Sequence, residues 1–121
     1  MSDNALTGII PVTVGRNTAL KELSLQQNII SGSVPTTVGS LTNLESLNLF
    51  FNNLTGVIPT ELGNLNRLEI LFLHFNELTG TMPSSICDLR DTKDGALRQL
   101  TSDCGIRGRI VCPVDCCTAC F

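Results

Sequence analysis

Apolar residues return along this chain in two superimposed patterns, a short alternation and a period of 24 residues. In residues 23–25, two leucines alternate with a serine, which is the period-2 pattern of a β-strand with leucines inward. The leucine pair recurs at Leu47 and Leu49 and again at Leu71 and Leu73. Because several columns share one spacing, the pattern predicts a repeat in which each strand pairs with its equivalent one coil further along.

Glycine and proline punctuate each period. Gly56 permits a turn, and Pro59 ends strand pairing and starts a helical turn. The same two columns recur in the neighbouring periods. We expect one apolar residue of each helical turn to pack the convex side onto the core, and these residues are Val14, Val38, Leu62 and Ile86.

Asparagine follows each predicted strand. We expect its amide to point inward and to bond backbone groups of adjacent coils, because such a bond contributes about 1 kcal/mol while a buried unpaired carbonyl costs about 1–3 kcal/mol. The alternative interpretation is a simple turn residue. The column consists of Asn4, Asn28, Asn52 and Asn76.

Residues 54–59 read Leu-Thr-Gly-Val-Ile-Pro, with equivalents at 6–11, 30–35 and 78–83. This phrase resembles the leucine-rich repeat, specifically its plant-type subclass marked by L-[TS]-G-x-[IV]-P. The resemblance implies an α/β repeat solenoid, a right-handed horseshoe segment with a concave parallel β-sheet and short convex 3-10 helical turns. We expect repeats over residues 1–90, with a partial first coil, and an irregular last coil and Cys-rich cap over 91–121.

The 24-residue period breaks after Cys87. Leu97 follows Leu68 by 29 positions, so five extra residues around 91–95 form a polar bulge before a last strand with Ser102 in a leucine column. A terminal coil has no neighbour to cover it, so capping sequence is expected to depart from the repeat. The tail resembles the Cys-rich C-terminal cap of diatom leucine-rich-repeat proteins, and differs from the two-cysteine ending usual in plant receptor ectodomains.

Six cysteines allow 15 disulfide pairings, and the sequence does not choose among them. The adjacent Cys116 and Cys117 are expected to bond to different partners, and Cys87 to tie the last full coil to the cap. A cap this small gains about 2–5 kcal/mol from a native disulfide. The predicted disulfide cysteines are Cys87, Cys104, Cys112, Cys116, Cys117 and Cys120.

Two other interpretations of the cysteines are open. Four thiolates between Cys112 and Cys120 could bind zinc, although structural zinc sites prefer two separated C-x(2–4)-C pairs. A redox pair of Cys117 and Cys120 would lack the helix N-terminus that lowers a thiol pKa. We expect disulfides, with no metal and no cofactor.

The outward strand positions define the candidate binding face. They change from polar in the first coil to aromatic in the next two, and a contiguous exposed apolar surface usually marks an interaction site in which aromatic residues dominate. The alternative is that Phe51 and Phe75 only pack locally over the strand ends. The predicted ligand-binding residues are Ser24, Gln26, Asn48, Phe50, Phe51, Ile70, Phe72, His74 and Phe75.

No catalytic constellation is visible in the sequence. His74 is the only histidine, and neither a serine nor a cysteine stands at a spacing that would make it a catalytic base. Asp91, Asp94 and Asp103 are interpreted as a solvated bulge and a cap bond rather than a metal site. Asn53 begins an Asn-Leu-Thr glycosylation sequon at a position expected to be exposed.

The net charge is −3 with no cluster of basic residues, which argues against nucleic acid as a partner. No uninterrupted apolar stretch reaches the length of a membrane span. The cysteine density indicates an oxidising compartment, yet the first six residues form no export signal. Because Met1 falls inside a repeat, we expect a piece of a longer extracellular or cell-surface protein with further coils before Met1.

The sequence therefore predicts a non-catalytic recognition module. The family resemblance implies that the concave face binds a protein, peptide or glycan, in a receptor-like or secreted protein. Two alternatives are a purely structural segment of a longer solenoid and an extracellular inhibitor of secreted hydrolases.

Overall fold

The computed structural model describes residues 5–91, 95–104, 109–113 and 115–121. Asn4 and Asp94 lie outside the described residues. Part of the predicted polar bulge, which includes Asp94, therefore also lies outside them. The elements in chain order are a 3-10 helix at Val12–Arg16, β1 (Glu22–Ser24), β2 (Ser31–Ser33), a 3-10 helix at Thr36–Ser40, β3 (Ser46–Asn48), β4 (Asn53–Val57), a 3-10 helix at Thr60–Asn64, β5 (Ile70–Phe72), β6 (Glu77–Thr81), α1 (Ser84–Asp91), β7 (Gln99–Ser102), β8 (Ile110–Val111) and β9 (Ala119–Cys120).

Each coil adds one strand to each of two sheets. The concave sheet has the order β1-β3-β5-β7-β9, the second sheet has the order β2-β4-β6-β8, and the pairs are parallel. Leu71 pairs with Leu47 on one side and with Leu100 on the other, so the register continues across the break in the period. The predicted repeat fold with parallel strands and short 3-10 turns is confirmed.

The leucine columns form the core between the sheets and the convex turns. Leu47, Leu71 and Leu100 have no exposed surface. Leu23 and Leu25 in the first coil are only partly buried, because β1 has a neighbouring strand on one side of the described sheet. Burial is therefore complete only where a coil is covered on both sides.

The convex turns approach each other closely through glycine. A Cβ atom on Gly39 would lie 2.4 Å from the carbonyl oxygen of Glu61, and one on Gly63 would lie 2.4 Å from the Cβ of Ser85. Such distances exclude any larger residue unless the backbone moves. Gly39 and Gly63 occupy equivalent positions 24 residues apart, and the next equivalent position is Cys87. There α1 replaces the 3-10 helix of the earlier coils, and the cysteine side chain forms a disulfide.

Each described asparagine connects its own coil to the preceding one. The Asn52 side-chain oxygen accepts a hydrogen bond from Ile30 N–H at 3.0 Å, and its Nδ2 donates to the carbonyl oxygens of Leu25 at 2.8 Å and Leu49 at 3.2 Å. Asn76 repeats this arrangement, and Asn28 makes the equivalent bonds to Leu6 N–H and to the carbonyl oxygen of Leu25. These amides thus pair backbone groups that the tight turn after each strand leaves without partners.

Asp103 continues this bonding where the repeat stops. In the earlier coils the N–H groups after the strand donate to carbonyl oxygens of the next coil, as Asn52 does to Phe75 at 3.1 Å. The N–H groups of Phe75 and Asn76 donate instead to the carboxylate of Asp103, at 2.8 Å to Oδ1 and 2.9 Å to Oδ2. One side chain therefore replaces the carbonyls of a further regular coil.

Three disulfides close the C-terminal end, as the sequence predicts. Cys87 ties α1 to the tail, and the adjacent Cys116 and Cys117 bond to different partners. The tail then returns to the concave sheet, where β9 pairs with β7. The bonds are Cys87–Cys116, Cys104–Cys120 and Cys112–Cys117.

These bonds decide between the open interpretations of the cysteines. The sulfur atoms of Cys104, Cys112 and Cys117 lie within 4.8 Å of one another, but each belongs to a disulfide and offers no thiolate to a metal. Cys117 and Cys120 also have different partners, so they do not form the redox pair. Within the described ranges, no helix has the length and apolarity to cross a bilayer.

The sequence separations of the disulfides predict unequal contributions to stability. The chain-entropy relation gives about 3.5 kcal/mol for Cys87–Cys116, which are 29 residues apart, and about 2 kcal/mol for Cys112–Cys117, which are five apart. Replacing both cysteines of the first pair by alanine should therefore lower the free energy of unfolding more than the matched change in the second pair. Denaturant unfolding measures both, and an equal or reversed loss would contradict this expectation.

Candidate functional site

The polar end of the concave face is formed by β1, β3 and the residues that follow β1. The Ser24 hydroxyl donates to Glu22 Oε1 at 2.7 Å. The side-chain oxygens of Gln26 and Asn48 are buried, yet they accept no hydrogen bond from any described residue. Both residues are partly exposed as a whole, so a rotation of the amide group would be needed to bring either oxygen to an outside donor.

The aromatic end is organised around His74. Its ring lies between two phenylalanine rings, with centroids 4.8 Å from Phe50 and 4.3 Å from Phe121 and interplanar angles of 3° and 19°. Phe72 and Phe75 meet it edge-on at 6.0 and 5.0 Å. We call the connected set the aromatic cluster, and it consists of Phe50, Phe51, Phe72, His74, Phe75 and Phe121.

Phe51 and Phe75 occupy the left-handed region directly after their strands, with φ of 58° and 57°. This conformation places both side chains over the strand ends, where their rings meet edge-on at 6.0 Å. The contact agrees with the interpretation that these residues pack locally. They nevertheless remain 58% and 48% exposed, and Phe75 also contacts His74. Local packing and an exposed aromatic surface therefore coexist in the same residues.

Ile70 stands at the start of β5, in register with Ser46 and Gln99. Its side chain is partly buried. It lies one outward position before Phe72 on the same strand, at the border of the aromatic cluster.

Phe121 belongs to the aromatic cluster, although no local sequence pattern indicates it. Thr101 pairs with Phe72 on one side and Ala119 on the other, so two residues further on His74, Asp103 and Phe121 align across three strands. The Asp103 carboxylate accepts hydrogen bonds from backbone N–H groups. The Phe121 ring, from the strand beyond Asp103, therefore stacks on the His74 ring. The only signal would have been the register of the tail, which no local pattern reveals.

His74 is held in a weakly polar environment. Its Nδ1 lies 2.6 Å from the hydroxyl oxygen of Thr101, a second residue that the sequence analysis does not single out. Burial lowers the pKa of His74 from its usual 6.5, and the negative charge of Asp103 offsets part of this effect. The Thr101 side chain is itself buried, so its hydroxyl is not presented to a substrate.

Asn53 begins β4 in the second sheet, away from the concave strands. The residue is exposed, as is Thr55 at the end of the sequon. Both groups that an oligosaccharyltransferase must reach therefore lie on accessible surface.

Comparison with known proteins gives one family and many similar structures. A family model described as "Leucine rich repeat" matches residues 1–54 and 18–78. No protein with a curated description matches the chain.

The similar solved structures include extracellular domains of plant receptors from Arabidopsis thaliana. The BIR3–SERK2 complex matches with 35% identity and a TM-score of 0.71, over 84% of this chain and 54% of that chain. The SOBIR1 ectodomain matches with 35% identity and a TM-score of 0.74, over 83% and 51%. The HAESA ectodomain, solved with the peptide hormone IDA, matches with 34% identity and a TM-score of 0.74, over 85% and 16%. The chain thus spans about half or less of these proteins.

The lowered pKa of His74 predicts a specific pH dependence. The unfolded chain takes up a proton near pH 6.5 and the folded chain only at lower pH, so the free energy of unfolding should fall as pH drops below 6.5 through the folded pKa. NMR titration of this single histidine measures the pKa directly. Phe121→Ala should move it back toward 6.5 by admitting water, and an unchanged pKa would contradict shielding by the Phe121 ring.

The exposed sequon predicts one N-linked glycan when the chain passes through a eukaryotic secretory pathway. Asn53 is the only asparagine in an N-x-Ser/Thr sequon. Asn53→Gln should remove the glycan-dependent mass difference, whereas Asn43→Gln serves as a matched change outside any sequon. A glycan that persists in the Asn53 variant would contradict the assignment.

Proposed function

The chain belongs to the leucine-rich-repeat family, and we propose that it is a non-catalytic recognition module that binds a peptide or protein through the aromatic cluster on its concave face. The observation that carries the proposal is the ring stack of Phe50, His74 and Phe121. These rings come from three different coils, and they form a surface that none of those coils has alone.

The aromatic cluster has the properties of an interaction surface. Phe51, Phe75 and Phe121 each expose about half of their surface or more, at 58%, 48% and 48%. Rings are effective contact groups because they cover a large area with few rotatable bonds. Strand pairing on a parallel sheet fixes their positions, so little conformational freedom remains to be lost on binding.

The polar end supports a ligand with backbone donors. The buried side-chain oxygens of Gln26 and Asn48 have no partners among the described residues, and rotation of these partly exposed side chains would present them to a ligand. An extended peptide carries N–H donors along its length and can place apolar side chains against the rings. The change from amides at one end to rings at the other also gives the ligand one preferred direction along the face.

The similar structures favour a peptide or protein over a glycan. HAESA is solved with the hormone peptide IDA, and RGFR1, which is 46% identical over 79% of this chain, is solved with RGF2. Those complexes are properties of those receptors. Together with the three disulfides, they support an extracellular or cell-surface place for this module.

The proposal is tested by selecting peptides from a random display library against the immobilised 121-residue chain. Selected peptides should lose at least about tenfold in affinity for the double variant Phe50→Ser/Phe72→Ser, because truncating a central aromatic contact commonly costs about 2 kcal/mol. Val57→Ser is the matched control, since Val57 is 65% exposed on the second sheet and lies outside the cluster.

Circular dichroism and the unfolding midpoint must first show that all variants fold alike. Equal binding of the selected peptides to wild type and to the Phe50/Phe72 variant would contradict the proposal. If that variant is also as stable as wild type, the result would favour the alternative of a purely structural solenoid segment.

A further inference from the structure

A cleft of about 390 Å³ opens beside the aromatic cluster, between the ends of the concave strands and the cap. Its volume lies at the lower end of the range of ligand sites, about 300–1,000 Å³. Two aromatic rings, one fixed carboxylate and one exposed ion pair line it, and these residues are Phe75, Phe121, Asp103, Glu77 and Arg109.

We propose that this cleft binds the guanidinium group of an arginine side chain. The inference rests on the proposed function, because the arginine is taken to belong to a peptide that lies on the aromatic cluster. It adds a chemical requirement to that peptide, namely one arginine at the end nearest the cap.

Asp103 presents its carboxylate in a fixed orientation. Its Oδ1 accepts one hydrogen bond from Phe75 N–H at 2.8 Å, and its Oδ2 accepts one from Asn76 N–H at 2.9 Å. Each carboxylate oxygen can accept two hydrogen bonds, so one acceptor position remains on each. Two parallel acceptors match the paired N–H donors of a guanidinium better than the single point charge of an ammonium group.

The aromatic walls add a second attraction for the same group. Phe75 and Phe121 meet at 5.3 Å with an interplanar angle of 61°, and each is 48% exposed. The face of an aromatic ring attracts cations, and the flat guanidinium also stacks on it. A neutral planar group of the same shape would keep the stacking and lose the charge.

The charges of the cleft favour a cation. Asp103 and Glu77 are acidic, and Arg109 is the one basic residue among those lining the cleft. Arg109 pairs with Glu77, and the two side chains are 61% and 54% exposed. An exposed pair of this kind is weak and rearranges easily, so Glu77 can also turn toward an incoming guanidinium.

The test uses acetyl-arginine methylamide as the probe, added to the ¹⁵N-labelled 121-residue chain. The amide signals of Phe75 and Asn76 report directly, because both N–H groups bond to Asp103. Acetyl-citrulline methylamide is the matched neutral probe, and tetramethylammonium is a cation without N–H donors. The arginine probe should bind at least about tenfold more tightly than either.

Variants separate the contributions without disturbing the cap bond of Asp103. Phe121→Leu keeps an apolar residue and should weaken binding several-fold, as should Glu77→Gln. Arg109→Gln removes the competing cation and should strengthen it. Val57→Ser, on the second sheet, should change nothing.

Equal affinity for citrulline would show that charge plays no part, and equal affinity for tetramethylammonium would show that the rings alone select a cation. Either result, or absence of binding, overturns the inference. These outcomes are independent of the peptide selection, because Phe50 and Phe72 do not line the cleft. If peptides are selected but the arginine probe does not bind, the proposed function is supported and the arginine site is contradicted.

Discussion

The fold depends on pairing every backbone group where one coil turns into the next. The left-handed residues Phe51 and Phe75 mark the turn after each concave strand, where backbone bonds to the adjacent coil pair some of the backbone groups but not all of them. Inward asparagine amides pair the remaining groups, as Asn52 does between two adjacent coils. A buried carbonyl without a donor costs about 1–3 kcal/mol, so this requirement recurs in every coil and accounts for the asparagine column.

The same requirement determines how the solenoid ends. A further regular coil would supply two carbonyl oxygens to Phe75 and Asn76, and the Asp103 carboxylate supplies both acceptors from one side chain. The tail can then leave the repeat, close three disulfides and return as β9. Without that carboxylate the cap would leave two N–H groups facing a cleft with no acceptor.

Short sequence patterns predict those structural features that depend on residues of a single coil. Strand alternation, the turn glycine and the asparagine each act within one coil, so the sequence shows their positions. Gly39 is different, because its contact is with Glu61 in the next coil, and only the coil spacing explains why no side chain fits there. The disulfide pairing and the place of Phe121 depend on the path of the tail, and no periodicity encodes that path.

The proposed binding face consequently includes residues of the cap. His74 and its stacking partner Phe50 stand on regular coils, but its second stacking partner Phe121 and its charged neighbour Asp103 both come from the irregular end. The regular coils supply a sheet whose outward residues differ from coil to coil, as Ser46, Ile70 and Gln99 do. The cap adds the second ring face and the oriented carboxylate beside it. The proposed binding chemistry therefore depends on residues that the tail brings to the sheet after it has left the repeat pattern.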